Sequence, residues 1–175
     1  MIRKATKDDL SRIAEILVFV KRMKYRSIFN NDGYSFGNLQ VIPVAEEYSA
    51  PEIINNIWVY EEDGIVKGLI NIEGKEVVEL YVDYFFQSQG IGSKLIEFAK
   101  KEHDVSFLWA LEKNQDAIAF YEAHGFKRTG DRQPEEGTPE YIVKLARGFR
   151  RAVRHPRLRD GKGRGKMRYL HRHRA

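Results

Sequence analysis

Gly90 and Gly92 stand between an alternating apolar run and an amphipathic one, and that placement could bind an anion. Over residues 76–82, Val78, Leu80 and Val82 alternate with Glu79 and Tyr81, the two-residue period of a strand with two differently used faces. After the glycines, Ile91, Leu95, Ile96 and Phe98 interleave with Ser93, Lys94, Glu97, Lys100 and Lys101, which predicts an amphipathic helix starting near Ile91. A strand leading through glycines into a helix N-terminus presents N–H groups outside the helix ladder and the positive end of the helix dipole. Phosphate or pyrophosphate suits such a place. Gly-Ile-Gly by itself fits plain turn chemistry equally well. The spacing lacks the last glycine of the dinucleotide fingerprint and the Gly-Lys-Ser/Thr of a P-loop, so the pyrophosphate of another cofactor stays open.

The elements that must hold this turn are set by the rest of the chain. Residues 2–5 read as a strand, and Thr6 and Asp9 have capping-box spacing. Leu10, Ile13, Ala14, Leu17 and Val20 predict a helix of about four turns. In residues 24–51 a turn is marked by Asn30-Asn31-Asp32-Gly33, and Pro43 and Pro51 punctuate the remainder of the segment. The aromatic residues there, Tyr25, Phe29, Tyr34, Phe36 and Tyr48, either cover the core or line a pocket. Strands are expected over 56–62, 65–73 and 76–82, joined at Asp63-Gly64 and Gly74-Lys75 into an antiparallel meander. A helix crossover then leads to a strand at 107–111, expected to run parallel to 76–82. A helix from about Asn114, ended by Gly125, and two strands at 126–129 and 140–145 complete an α+β domain with a mixed sheet.

Composition narrows the class. The 175 residues, 42% hydrophobic and 12% aromatic, suit one compact domain. The chain has no cysteine, which removes disulfides, a thiolate nucleophile and Cys-based zinc sites. The N-terminus has no apolar signal core and no apolar run approaches the roughly 20 residues of a membrane span, so the expected location is cytoplasmic with no membrane partner. The net charge of +5 is unevenly spread: residues 147–175 carry twelve Lys/Arg against Asp160, or +11, leaving 5 − 11 = −6 for residues 1–146. The chain therefore divides into a mildly acidic domain, 1–146, and a basic Arg/Gly-rich tail, 147–175. The tail's composition predicts disorder unless it docks. It reads as a nucleic-acid arm, as a segment docking on an acidic body, or as an extension without function.

Two motifs give the domain a relative. Gln87-Ser88-Gln89-Gly90-Ile91-Gly92 fits a Gln/Arg-x-x-Gly-x-Gly/Ala signature, and Asn114-x-x-Ala117-x-x-Phe120-Tyr121-x-x-x-Gly125-Phe126 fits a second motif at every defining position. In both, residues 1–146 resemble the GNAT superfamily of N-acetyltransferases, which use acetyl-CoA. The resemblance implies a GNAT-like sheet in which the meander joins a parallel pair splayed for the cofactor. Gln87 and the backbone of Gln89, Gly90, Ile91, Gly92 and Ser93 would take the pyrophosphate. Leu80 and Val82 would pair with the pantetheine arm, and Asn114 would bond the cofactor. Tyr121 would protonate the leaving thiolate. Glu79 is implied as the base, its alternative being a structural carboxylate; Glu73 and Glu112 are further candidates.

The acceptor would be a primary amine of a small molecule, peptide or protein, shaped by residues 24–51, with Glu46, Glu47 and Glu52 able to attract a cation. A homodimer is compatible with the family. The sequence departs from the family at Tyr84, where Pro is frequent, and at Ser88, where Gly is frequent. Trp109 stands where a Glu is common in enzymes acting on ribosomal protein N-termini, so that substrate is not assigned. His103, His124, His155, His171 and His173 suggest neither a base in the acceptor region nor a metal pair. The competing reading is a catalytically silent CoA-binding module, tethered to nucleic acid by the tail or acting as a CoA sensor.

Overall fold

The structure, a computed structural model, describes residues 1–148; the expectations for the tail beyond Gly148 lie outside the described residues. Seven strands form one sheet in the order β1-β2-β3-β4-β5-β7-β6. β1 (Ile2–Lys4), β2 (Ile57–Glu62), β3 (Ile65–Glu73) and β4 (Glu76–Val82) are antiparallel neighbours. Their turns are tight because Asp63, Gly64 and Gly74 take left-handed backbone angles. β5 (Phe107–Leu111) runs parallel to β4, and β7 (Tyr141–Arg147) inserts between β5 and β6 (Phe126–Pro134). This is the expected mixed α+β sheet, with last strands longer than their short apolar stretches suggested.

β4 and β5 are in register only at Glu76↔Phe107 and Val77↔Leu108, and then part. Leu80 and Val82 pair with Ile70 and Gly68 of β3 on one side and have no β5 partner on the other.

Both faces of the sheet are covered. α4 (Ile91–His103) and α5 (Gln115–Ala123) pack Leu95, Ile96, Ala99 and Ile118 against Ile70, Leu80 and Leu108. α1 (Leu10–Phe29) and α2 (Val41–Tyr48) bring Ile13, Leu17, Val20 and Val44 onto Val59, Leu69 and Tyr81. The alternation in β4 therefore does not divide a wet face from a dry one: Glu79 and Tyr81 are as buried as Leu80.

α1 is longer than its first apolar residues predicted. It continues through Lys24, Tyr25 and Phe29 and ends where Asn30 turns left-handed at φ 49°. The Asp9 carboxylate at its entrance accepts from the Thr6 N–H at 2.8 Å and from Arg3. The segment after α1 is helical: a π-type turn at Gly33–Asn38, then α2, then α3 (Pro51–Ile54) with Pro51 in its first turn.

Candidate active site

The glycine turn is held from both sides. Arg12 of α1 donates to the Val66 carbonyl at 3.0 Å and to Asp83 Oδ2 at 2.7 Å, while Asp83 Oδ1 accepts from the Phe85 N–H at 2.9 Å. These bonds tie the chain leaving β4 to α1. Gln87 then donates from Nε2 to the Val82 carbonyl at 3.1 Å. Ser88 is left-handed at φ 61° and Gly90 at φ 80°, so the chain reverses into α4. The first bond inside α4 runs from the Lys94 N–H to the Gly90 carbonyl, which leaves the N–H groups of Ile91, Gly92 and Ser93 outside the helix ladder. A Cβ on Gly92 would stand 3.3 Å from the Phe120 ring, so the second glycine lets α4 close on α5.

A cavity of about 300 Å³ opens here between β4, the turn, α1 and α5. Leu80, Val82, Gln87, Gly90, Ile91, Gly92 and Ser93 line it; Gln89 is exposed and does not. Lys24 of α1 and Asp116 of α5 line it too, and no motif marked either. Ser93 meets His124 with Oγ 3.1 Å from Nε2, and His124 Nδ1 lies 2.9 Å from Glu97. His124, set aside as a base from the sequence, thus braces the turn.

The second motif packs around the far side of this cavity. Asn114 is the N-cap of α5, its Oδ1 accepting from the Ala117 N–H at 3.2 Å. Tyr121 is fully buried, its ring edge-on to Phe120 at 5.2 Å and Phe126 at 6.0 Å. Neither side chain lines the cavity, although Phe120 and Ala117 do. Tyr121 is close enough to Tyr25 of α1 to influence its ionisation.

Glu79 lies under α1 and α2 among buried polar groups. The Tyr48 hydroxyl donates to its carboxylate, 2.7 and 2.8 Å from the two oxygens, and Lys21 Nζ is 3.9 Å away. Glu79 and Lys21 are 2% and 3% exposed, so this is a buried charge pair at a long separation. Burial holds the Lys21 ammonium below its ordinary pKa, opposed by Glu79, Glu47 and Glu135. Burial, with Glu79 alongside, pushes the Tyr48 phenol well above its ordinary value, so it stays a donor. Tyr25 and Tyr81 are raised mainly by burial too. The sequence carried a signal for Lys21, a lysine at helical spacing from Ala14, Leu17 and Val18, but charge argued against reading it as core.

Beyond this cluster a second cavity of about 400 Å³ lies between the α1–α2 segment and the β6–β7 loop. Phe29, Tyr34, Leu39, Val44 and Glu47 form one side, Gly137, Thr138 and Pro139 the other. Burial pushes the Tyr34 pKa up to about 12, helped by the charges of Glu135, Glu79 and Glu47. The aromatics of residues 24–51 thus divide their work. Tyr25 and Tyr48 are core, Phe29 and Tyr34 are cavity wall, and Phe36 is exposed under Arg22 and Arg26. Glu46 and Glu52 line neither cavity. Glu73 is exposed at the end of β3, and Glu112 is engaged by Arg132 at 2.8 Å. Trp109 carries the Lys144 ammonium 5.9 Å from its ring. Among the described residues no three His, Asp or Glu side chains gather as metal ligands, and no helix is long and apolar enough to cross a membrane.

Residues 54–128 match the family described as the acetyltransferase (GNAT) domain. The chain is 30% identical over 135 residues to the peptidyl-lysine N-acetyltransferase YiaC of Escherichia coli strain K12, covering 72% of this chain and 82% of that one. The chain belongs to the GNAT acetyltransferase family. The GNAT fold is matched by the solution structure of apo-form YjaB from Escherichia coli, with a TM-score of 0.69 at 22% identity over 85% of this chain and 97% of that one. YncA, described as a putative acetyltransferase from Salmonella typhimurium with its cofactor acetyl-CoA, matches with a TM-score of 0.61 at 19% identity over 90% and 96%. As a GNAT protein the chain is an acyltransferase, and acetyl-CoA is the donor of its family.

Proposed function

We propose that this protein transfers an acetyl group from acetyl-CoA to a primary amine, with the donor in the glycine-turn cavity and the acceptor entering by the aromatic cavity. The parting of β4 and β5 carries this reading: it leaves Leu80 and Val82 with an open backbone edge that runs into the glycine turn. The residues fit the donor's chemistry. The free N–H groups of Ile91, Gly92 and Ser93 at a helix N-terminus suit a diphosphate, and an open strand edge suits an amide-bearing arm. When bound, acetyl-CoA supplies the acetyl carbon as a thioester.

Gln87 holds the end of β4, and Asn114 fixes the start of α5 beside the cavity. Tyr121 is the proposed proton donor to the departing sulfur. Glu79 is the proposed sink for the proton of the incoming ammonium. It acts through Tyr48, whose hydroxyl covers both carboxylate oxygens, rather than by touching the amine. The walls of the second cavity favour an unbranched alkylamine: Phe29, Tyr34 and Val44 suit an apolar stem, and Glu47 suits its ammonium. A lysine side chain on a peptide is such a group, and peptidyl-lysine is the acceptor class in the name of the Escherichia coli relative.

The test is release of free CoA thiol from acetyl-CoA with lysine-containing peptides and small primary amines. Turnover is expected, and Tyr121→Phe should lower kcat about 100-fold or more. If Tyr121→Phe keeps full kcat across pH, the proton-donor role is lost. If CoA raises the thermal midpoint while no amine releases thiol, the silent CoA-binding reading replaces this one.

A further inference from the structure

Among the described residues, Lys24 is the one basic side chain lining the glycine-turn cavity. It projects from α1, a turn after Val20, and is half-buried. Among the described residues no salt bridge joins it to a carboxylate, and the one carboxylate that lines the cavity with it is Asp116, in the first turn of α5. The glycine turn meets α5 further along, where Gly92 faces Phe120 and Ser93 meets His124. Asp116 and Ala117 stand one to two turns earlier on α5 and line the cavity together with Leu80 and Tyr81, on the part of β4 that has left β5. If the diphosphate lies on the turn, the thioester lies at the Lys24 end.

We infer that Lys24 is an acetyl acceptor within the protein itself; this rests on the proposed reading of the cavity as the acetyl-CoA site. The neutral Nζ forms a bond to the acetyl carbonyl carbon and the carbon–sulfur bond breaks. The electron pair leaves on sulfur, and the proton lost from nitrogen ends on the thiolate. The products are Nε-acetyl-Lys24 and free CoA. Desolvation supports the chemistry, because it holds the Lys24 pKa below its ordinary value and so enlarges the neutral, nucleophilic fraction. The acetylated side chain is longer and uncharged. It occupies donor space and no longer faces Asp116 with a cation, so the modification limits further donor binding.

The experiment incubates the full chain with acetyl-CoA and no added amine, and follows each lysine by peptide mass mapping. Lys101, 83% exposed, reports the purely chemical rate. Lys24 should acetylate about tenfold or more faster than Lys101, as expected for a positioned amine, at a rate independent of protein concentration. Lys24→Arg should remove that fast acetyl. Thermal midpoints with CoA are measured on the same unlabelled protein, and again after labelling, where the shift should shrink. If CoA raises the midpoint and Lys24 labels no faster than Lys101, the inference is wrong while the cavity reading stands. If CoA gives no shift and Lys24 does not label, the cavity reading fails and takes this inference with it.

Discussion

The two cavities are built in opposite ways. The glycine-turn cavity is made largely of main chain: an open edge on β4, N–H groups at the start of α4, and two left-handed residues that aim them. The aromatic cavity is made of side chains brought from α1, the turn after it, α2 and the β6–β7 loop. Behind it lies the buried Lys21–Glu79–Tyr48 cluster. A main-chain site tolerates change in most of its side chains but not in its backbone angles. A side-chain site has the reverse sensitivity, since each buried charge depends on one neighbour.

Glu79→Gln should separate the two most strongly. It leaves Lys21 buried without its carboxylate, and breaking a buried pair from one side costs about 3–5 kcal/mol. The 3.9 Å separation points to the lower end of that range. Denaturant unfolding should show this loss, with CoA binding retained, and Lys21→Met in the same chain should recover most of it. Unchanged stability in Glu79→Gln would mean that the cluster is not coupled as its geometry requires.

Gly90→Ala should do the opposite. A Cβ at φ 80° costs about 1–2 kcal/mol and misdirects the N–H groups of the turn, so CoA affinity should fall more than stability. Calorimetric titration with CoA checks it; equal affinity would remove the turn from donor binding.

A smaller contrast lies in pH. Lys21 and Lys24 have folded pKa values below 10.5 because burial disfavours their charged forms. Between those folded values and 10.5 the unfolded chain binds more protons, so stability should rise with pH, by at most about 1.4 kcal/mol per lysine per pH unit. Tyr25, Tyr48 and Tyr81 act the other way in that their phenols stay protonated in the fold: above about pH 10 the unfolded chain loses protons that the folded chain keeps, so stability falls. The gain should therefore appear below pH 10.5 and turn over near pH 10, and Lys21→Met should flatten it. A Lys21→Met curve parallel to wild type would place the titration elsewhere.

Ser88→Gly should have the least effect. It relieves a left-handed serine at φ 61° while loosening the unfolded chain, for a net gain of about 0.5–1 kcal/mol. A thermal melt showing a lower midpoint would mean that the serine side chain has a role of its own.

The same contrast marks what could be read in advance. β4, the glycine turn, α4 and α5 announce themselves through alternation, positive-φ residues and helical spacing, all of which act within a few neighbouring residues. The region from Lys24 to Pro51 did not, because its aromatics serve three purposes at once and nothing local distinguishes Tyr48 in the core from Phe36 on the surface. The contact of Ser93 with His124 and the place of Lys24 were hidden for a related reason: each involves a partner on another element. The departure at Ser88 was visible in sequence, but its left-handed angle, which explains why glycine is favoured there, was not.

By itself the sequence determined the order and type of the main elements, the anion-suited turn and the family to which the chain belongs, because these depend on short-range periodicity and on motifs of fixed spacing. Tertiary structure alone decided that β4 and β5 separate after Val77, that Glu79 is sealed beneath Tyr48 beside a buried lysine, and that Lys24 reaches the turn's cavity. Burial and charge pairing arise from residues tens of positions apart, and no local pattern specifies which of them will meet.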